Sequence, residues 1–226
     1  MLLHLPAVLT TAEVNDVVSQ LTAMNWVAGK HTAGGQAIQV KQNLQIDPAD
    51  PAYLPLAQRI AEALLANPLC HSAALPHHLL TPMFNCYQEQ GHYGDHIDGA
   101  IHRDRITGQQ HRTDVSLTLF LSAPEDYEGG ELIIEDAYGS HSVKLDAGDA
   151  ILYPATSLHR VEPVTSGRRL AAFSWIQSLV RSDAERTLLF QLDMTILKLR
   201  QQLGDQPEVT QLTQHYHNLL RRWSEA

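Results

Sequence analysis

The stretch YQEQGHYGDHID, residues 87–98, closes on His96-Ile97-Asp98 after two glycines, Gly91 and Gly94. On a strand, residues two apart project to the same face. A strand over 92–98 therefore sets the His96 imidazole beside the Asp98 carboxylate and sends Ile97 to the opposite face. A second histidine from a distant strand completes a set of two imidazoles and one carboxylate. Such a set grips one side of an octahedral metal and leaves three positions open. His-x-Asp alone is a weak signal, and the chain repeats it at His102-Arg103-Asp104. That second copy is flanked by Arg103 and Arg105, whose charges repel a dication, so His96 and Asp98 are the candidates.

Outward from this stretch, residues 79–181 carry short β-branched and aromatic runs at 79–88, 92–98, 114–122, 131–135, 141–146, 149–153 and 168–178. Gly129-Gly130, Gly139-Ser140 and Gly148-Asp149 punctuate them. Short strands at this spacing predict an antiparallel sandwich or barrel such as a jelly roll. Residues 99–113 are polar and aperiodic, which predicts a long loop and a candidate lid. Before the β region, a capping box at Thr10 and Glu13 opens a helix over 10–26. A second helix starts at Asp50-Pro51 and ends at Asn67-Pro68, with a short strand over 36–46 behind Gly34-Gly35. These helices are expected to cover one face of a sheet. After residue 181, Ser182 and Glu185 open a helix that Gly204 closes, and Asp205-Gln206-Pro207-Glu208 starts another. The division is thus an N-terminal helical and strand support (1–78), a β core (79–181) and a C-terminal helical hairpin (182–226), the last a possible homo-oligomer contact.

The 226 residues suit one catalytic domain with an appendage, and 44% hydrophobic with 18% charged residues is a globular composition. A net charge of −9 argues against a general nucleic-acid role. Two cysteines, Cys70 and Cys86, make neither a disulfide scaffold nor a four-cysteine zinc site. The sequence shows no membrane span and no leader pattern, so the expected compartment is the cytoplasm. Thirteen histidines pose the question of which converge.

The third candidate is His159, which follows the 149–153 run and the turn Pro154–Ser157; its competitor His141 lies in a Gly-Ser turn. Ten residues past His159 comes Arg169, whose forked guanidinium suits a carboxylate. Arg169, Ala171, Phe173 and Trp175 share one strand face, so Arg168 must point the other way.

The segments YQEQGHYGDHID, EGGELII (128–134), AGDAILYP (147–154), SLHRVEPV (157–164) and RRLAAFSW (168–175) together resemble the Fe(II)/2-oxoglutarate-dependent dioxygenases of the prolyl 4-hydroxylase group, in particular the bacterial PKHD-type hydroxylases. The resemblance runs over essentially the whole chain. It implies a double-stranded β-helix (jelly-roll) core, mainly β with flanking helices. It also implies His96, Asp98 and His159 as iron ligands, and Arg169 as the 2-oxoglutarate carboxylate binder. Tyr87 matches a pocket tyrosine. The implied cofactors are Fe(II), 2-oxoglutarate as co-substrate, and L-ascorbate. The implied reaction uses O2 to hydroxylate an unactivated C–H bond of an unidentified prime substrate, a peptidyl proline or lysine or a small molecule, with release of succinate and CO2. One departure stands out. Where several prolyl hydroxylases have a tyrosine helping to hold the co-substrate, this chain has Phe120, leaving Tyr87 or Thr118 to supply the hydroxyl. Two other readings use the same ligands: a jelly-roll module that binds iron and an organic acid without turnover, and a zinc hydrolase, which would have no need of Arg169.

Overall fold

The computed structural model describes residues 1–32, 39–104 and 106–225. In chain order its strands are β1 (Leu3–Leu5), β2 (Trp26–Ala28), β3 (Lys41–Gln42), β4 (Leu44–Ile46), β5 (Pro76–Leu79), β6 (Met83–Tyr87), β7 (His92–His96), β8 (Ile101–Arg103) and β9 (Gln110–Arg112). They continue with β10 (Val115–Phe120), β11 (Tyr127–Gly129), β12 (Leu132–Asp136), β13 (Gly139–Val143), β14 (Ala150–Pro154), β15 (His159–Val161), β16 (Val164–Gly167) and β17 (Arg169–Ser178). The helices are α1 (Thr11–Ala23), α2 (Tyr53–Ala66), α3 (Pro68–Ala74), α4 (Asp183–Leu203) and α5 (Pro207–Trp223).

A large sheet runs β1-β14-β10-β17-β6-β4-β2, with β5 also on β17; a smaller one runs β13-β12-β15-β7-β3. Two short ribbons, β11-β16 and β8-β9, complete the β structure. The N-terminal strands enlarge both sheets.

The centre of the large sheet is covered on both faces, so all six residues of β10 are buried. Its alternation divides them between two cores. Leu117 and Leu119 face outward against Val17, Leu21, Leu56, Ile60 and their neighbours on α1 and α2, while Phe120 faces inward with Tyr87, Tyr127, Leu132 and Ile134. Truncating a fully buried leucine such as Leu119 to alanine costs about 2–5 kcal/mol. The N-terminal helices thus back the large sheet, leaving its inner face for the sandwich. At the other end, α4 and α5 pack through Leu189, Tyr216, Leu219 and Trp223 onto Leu75 and Val180.

Several sequence expectations change. The first helix stops at Ala23, because Trp26 turns into β2. Asn67 ends α2 but also caps α3, its side chain accepting from Cys70 N with Pro68 in the first turn. The aperiodic run 99–113 is no loop: it folds back on itself as the β8-β9 hairpin. Its polar residues are explained by Asp104, only 3% exposed, which accepts from Thr81, Ile106 and Thr107 at the turn. Strand β7 ends at His96, so Asp98 lies just past the ladder. Ser182 accepts from Glu185 N as expected. The Gly34-Gly35 signal lies outside the described residues.

Candidate active site

His96 on β7 stands directly opposite His159 on β15, and their ring centroids are 4.1 Å apart. Each ring is turned the same way. His96 Nδ1 lies 2.8 Å from Gly94 O and His159 Nδ1 lies 3.0 Å from Ser157 O. Carbonyl oxygens only accept, so each Nδ1 carries the proton and each Nε2 presents a lone pair. Asp98 Oδ2 accepts from Ser116 Oγ at 2.6 Å and sits 3.8 Å from His159 Nε2. One ligand-type atom from each of His96, Asp98 and His159 lies within 4.8 Å of the others, a spacing that can hold a metal ion. Tyr93 stacks on His96 at 3.5 Å between centroids. Burial, reinforced by His159, pushes the His96 imidazole down to about 4, so it is neutral and competent to ligate near pH 7.

The competing histidine candidates go elsewhere. His102 stacks on Trp175 with centroids 4.1 Å apart, and Asp104 is committed to the hairpin turn, so the second His-x-Asp forms no metal set. His141 contacts Asp136 within the β12-β13 hairpin. His215 and His217 are exposed on α5.

A cavity of about 340 Å³ opens between the two sheets, walled by His96, Asp98 and His159 at one level and reaching Arg169 beyond them. The β8-β9 hairpin borders it through Ile101 and His102. Arg169 begins β17 opposite Tyr87 and is 1% exposed, whereas Arg168 is exposed, as strand alternation predicts. Nε, Nη1 and Nη2 of Arg169 are all buried without a hydrogen-bond partner. A guanidinium carries five N–H donors and is always charged. Burying one with no acceptor is costly unless an anion completes it, so the residues fit a carboxylate ligand here. The faces of Tyr87 and Phe120 lie 5.4 and 5.1 Å from its Cζ. Of the two sequence candidates for the assisting hydroxyl, Tyr87 lays its ring against the guanidinium and Thr118 interacts with the Tyr153 hydroxyl; both line the cavity. Ser116 escaped sequence reasoning. Ser116 could have been found from the inward parity of β10, which it shares with Thr118 and Phe120.

Residues 82–177 match the 2OG-Fe(II) oxygenase superfamily, and residues 183–225 match the PKHD-type hydroxylase C-terminal domain. A prolyl-4-hydroxylase from Pseudomonas putida shares the fold, with a TM-score of 0.50 and 20% identity over 78% of this chain and 92% of its own. HygX from Streptomyces hygroscopicus, solved with nickel and 2-oxoglutarate bound, gives 0.55 and 19% over 79% and 84%. Jelly-roll core and sequence match together define an iron- and 2-oxoglutarate-dependent dioxygenase. A PKHD-type hydroxylase from Hyphomonas neptunium is 60% identical over the full length of both chains. The chain belongs to the PKHD-type hydroxylases. No helix among the described residues is long and apolar enough to cross a membrane.

Proposed function

We propose that this dioxygenase hydroxylates an unactivated C–H bond of a peptide or small-molecule substrate, releasing succinate and CO2, with ascorbate supporting turnover. In this reading the core over 79–181 carries the chemistry, and 1–78 and 182–226 brace it. His96, Asp98 and His159 hold the iron, and Arg169 takes the distal carboxylate of 2-oxoglutarate. The observation that carries the proposal is the buried, partnerless guanidinium of Arg169 in the same cavity as the His-Asp-His set. A metal-binding set alone fits several chemistries; a set with a mooring point for a diacid fits far fewer.

Bound iron and 2-oxoglutarate supply the oxidising chemistry, activating O2 as the keto acid is decarboxylated. The chain's own residues do the rest. The Gly94 and Ser157 carbonyls fix both imidazoles with Nε2 inward, and Ser116 fixes the Asp98 carboxylate. Tyr93 and Tyr153 wall the two rings, limiting water at the metal. The three side chains line the cavity, so a metal they would hold could meet co-substrate, O2 and substrate there.

The test is incubation with Fe(II), ascorbate and 2-oxoglutarate over a panel of proline- and lysine-containing peptides, following succinate and a gain of one oxygen in the product. Succinate above the no-enzyme rate with an oxygenated product supports the proposal. Succinate formation without oxygen incorporation into any panel member points away from peptide hydroxylation.

A further inference from the structure

The cavity wall carries two polar groups to which neither the metal set nor Arg169 gives a role. Lys41 begins β3, directly opposite Tyr93 on β7, and is 4% exposed. Its Nζ lies 5.0 Å from the ring centroid of Tyr93 and 6.0 Å from that of Phe173, so the ammonium reaches from the small sheet towards the large one. Tyr93 in turn stacks on His96, which puts this charge one ring away from the metal ligands. Asn85 shares the inward face of β6 with Met83 and Tyr87 and is 7% exposed. Its Oδ1 is buried and accepts no hydrogen bond.

Charge limits what can enter. Histidines aside, Lys41 and Arg169 are the cationic side chains of the lining, and Asp98 is its one carboxylate among the described residues. Iron(II) brings two positive charges and 2-oxoglutarate two negative ones, so the loaded cavity keeps a positive charge in excess. Between protein walls that charge is weakly screened. A lysyl ammonium brought to the metal adds a further cation with no carboxylate to meet it, whereas an anion neutralises the excess. At the same wall, the unmatched Asn85 oxygen calls for an N–H or O–H donor. Ile97 and Ile101 line the cavity while 59% and 57% exposed, so the mouth through which a molecule passes is apolar.

We propose that Lys41 and Asn85 select the prime substrate: a small organic acid whose carboxylate lies against the Lys41 ammonium and whose N–H or O–H donates to Asn85 Oδ1. Its apolar part is left to Met83, Tyr93 and Phe173, which line the rest of that wall. Arg169 then moors the co-substrate while Lys41 chooses the substrate. This deepens the reading above and rests on it, since the charge count includes bound iron and 2-oxoglutarate.

The test uses the iron-loaded, anaerobic protein. Calorimetry first measures 2-oxoglutarate, then, with that ligand bound, a set of N-acetyl amino acids and the N-methylamide of each, which keeps the N–H and loses the charge. At least one acid is expected to bind about tenfold or more tighter than its methylamide. Lys41→Met should abolish that preference, leave the methylamides as they were, and alter 2-oxoglutarate binding far less. Asn85→Leu should weaken acid and methylamide alike. If the unaltered protein prefers no acid over its methylamide, the proposal is overturned, whether or not the variants fold. It is overturned too by a preference that survives Lys41→Met, or by a Lys41→Met protein that loses 2-oxoglutarate instead; binding unchanged in Asn85→Leu overturns the two-point contact. If the unaltered protein fails to bind 2-oxoglutarate, the functional reading falls and this inference with it; if it binds 2-oxoglutarate without any acid preference, only this inference falls.

Discussion

Replacing Arg169 by methionine should make the ligand-free protein more stable and nearly blind to 2-oxoglutarate. The wild-type side chain is 1% exposed, carries a permanent charge and has no acceptor on Nε, Nη1 or Nη2. Leaving one member of a buried charge pair without its partner costs about 3–5 kcal/mol. The ligand-free protein bears a strain of that kind, and methionine removes it while filling similar volume. Against this stand the contacts of the guanidinium with the Tyr87 and Phe120 faces, about 1–2 kcal/mol together. The net expectation is a gain of about 2 kcal/mol, or about 4–8 °C in Tm for a chain of this size. Without the guanidinium, 2-oxoglutarate should bind about a hundred- to a thousandfold more weakly, the equivalent of about 3–4 kcal/mol. Thermal unfolding without ligand and calorimetric titration of the iron-loaded protein measure the two halves. Arg168→Met, an exposed neighbour, should change stability by no more than about 0.5 kcal/mol and leave binding alone. A variant at Arg169 that is less stable and binds 2-oxoglutarate normally would refute the reasoning.

Ser116→Ala removes the hydrogen bond that orients Asp98 and should lower iron affinity about 10- to 100-fold in a metal-competition assay. His102→Ala, at a ring stacked on Trp175, should leave iron stoichiometry unchanged; loss of iron there would reverse the choice between the two His-x-Asp motifs. Asp104→Ala strips the hairpin turn of its acceptor and should destabilise the protein by about 2–4 kcal/mol, with faster amide exchange across 101–112. Burial alone would raise the Asp104 carboxyl, but hydrogen bonds from Thr107, Thr81 and Ile106 hold it at about 2. Since an unfolded aspartate titrates at about 3.9, this group's stabilisation is complete above that pH and is lost as pH falls towards 2. Unfolding in denaturant from pH 5 to pH 2 should therefore show a drop in the wild type that is smaller in Asp104→Ala.

The two sheets were legible where alternation was clean. In RRLAAFSW the period-two pattern put Arg169 and Arg168 on opposite faces, and the buried and exposed positions agree. His96 and His159 were legible as chemistry, though their direct cross-strand pairing depends on a register between segments more than sixty residues apart, which no local pattern encodes. The β8-β9 hairpin was hidden because its cohesion comes from one buried carboxylate rather than from an apolar face. Asn67-Pro68 reads as a helix stop, yet asparagine followed by proline is equally a helix start, and here it is both. Ser116 matters through a single polar atom. Composition and periodicity register only that such residues are buried, not what their hydroxyls face.

The central claim is tested most directly by crystals of the protein grown without oxygen in the presence of Fe(II) and 2-oxoglutarate. The account predicts one iron bound by His96 Nε2, His159 Nε2 and Asp98, chelated by the keto-acid end of 2-oxoglutarate, with the far carboxylate against Arg169. Iron bound at other residues, or a co-substrate whose far carboxylate leaves Arg169 unpaired, would contradict it.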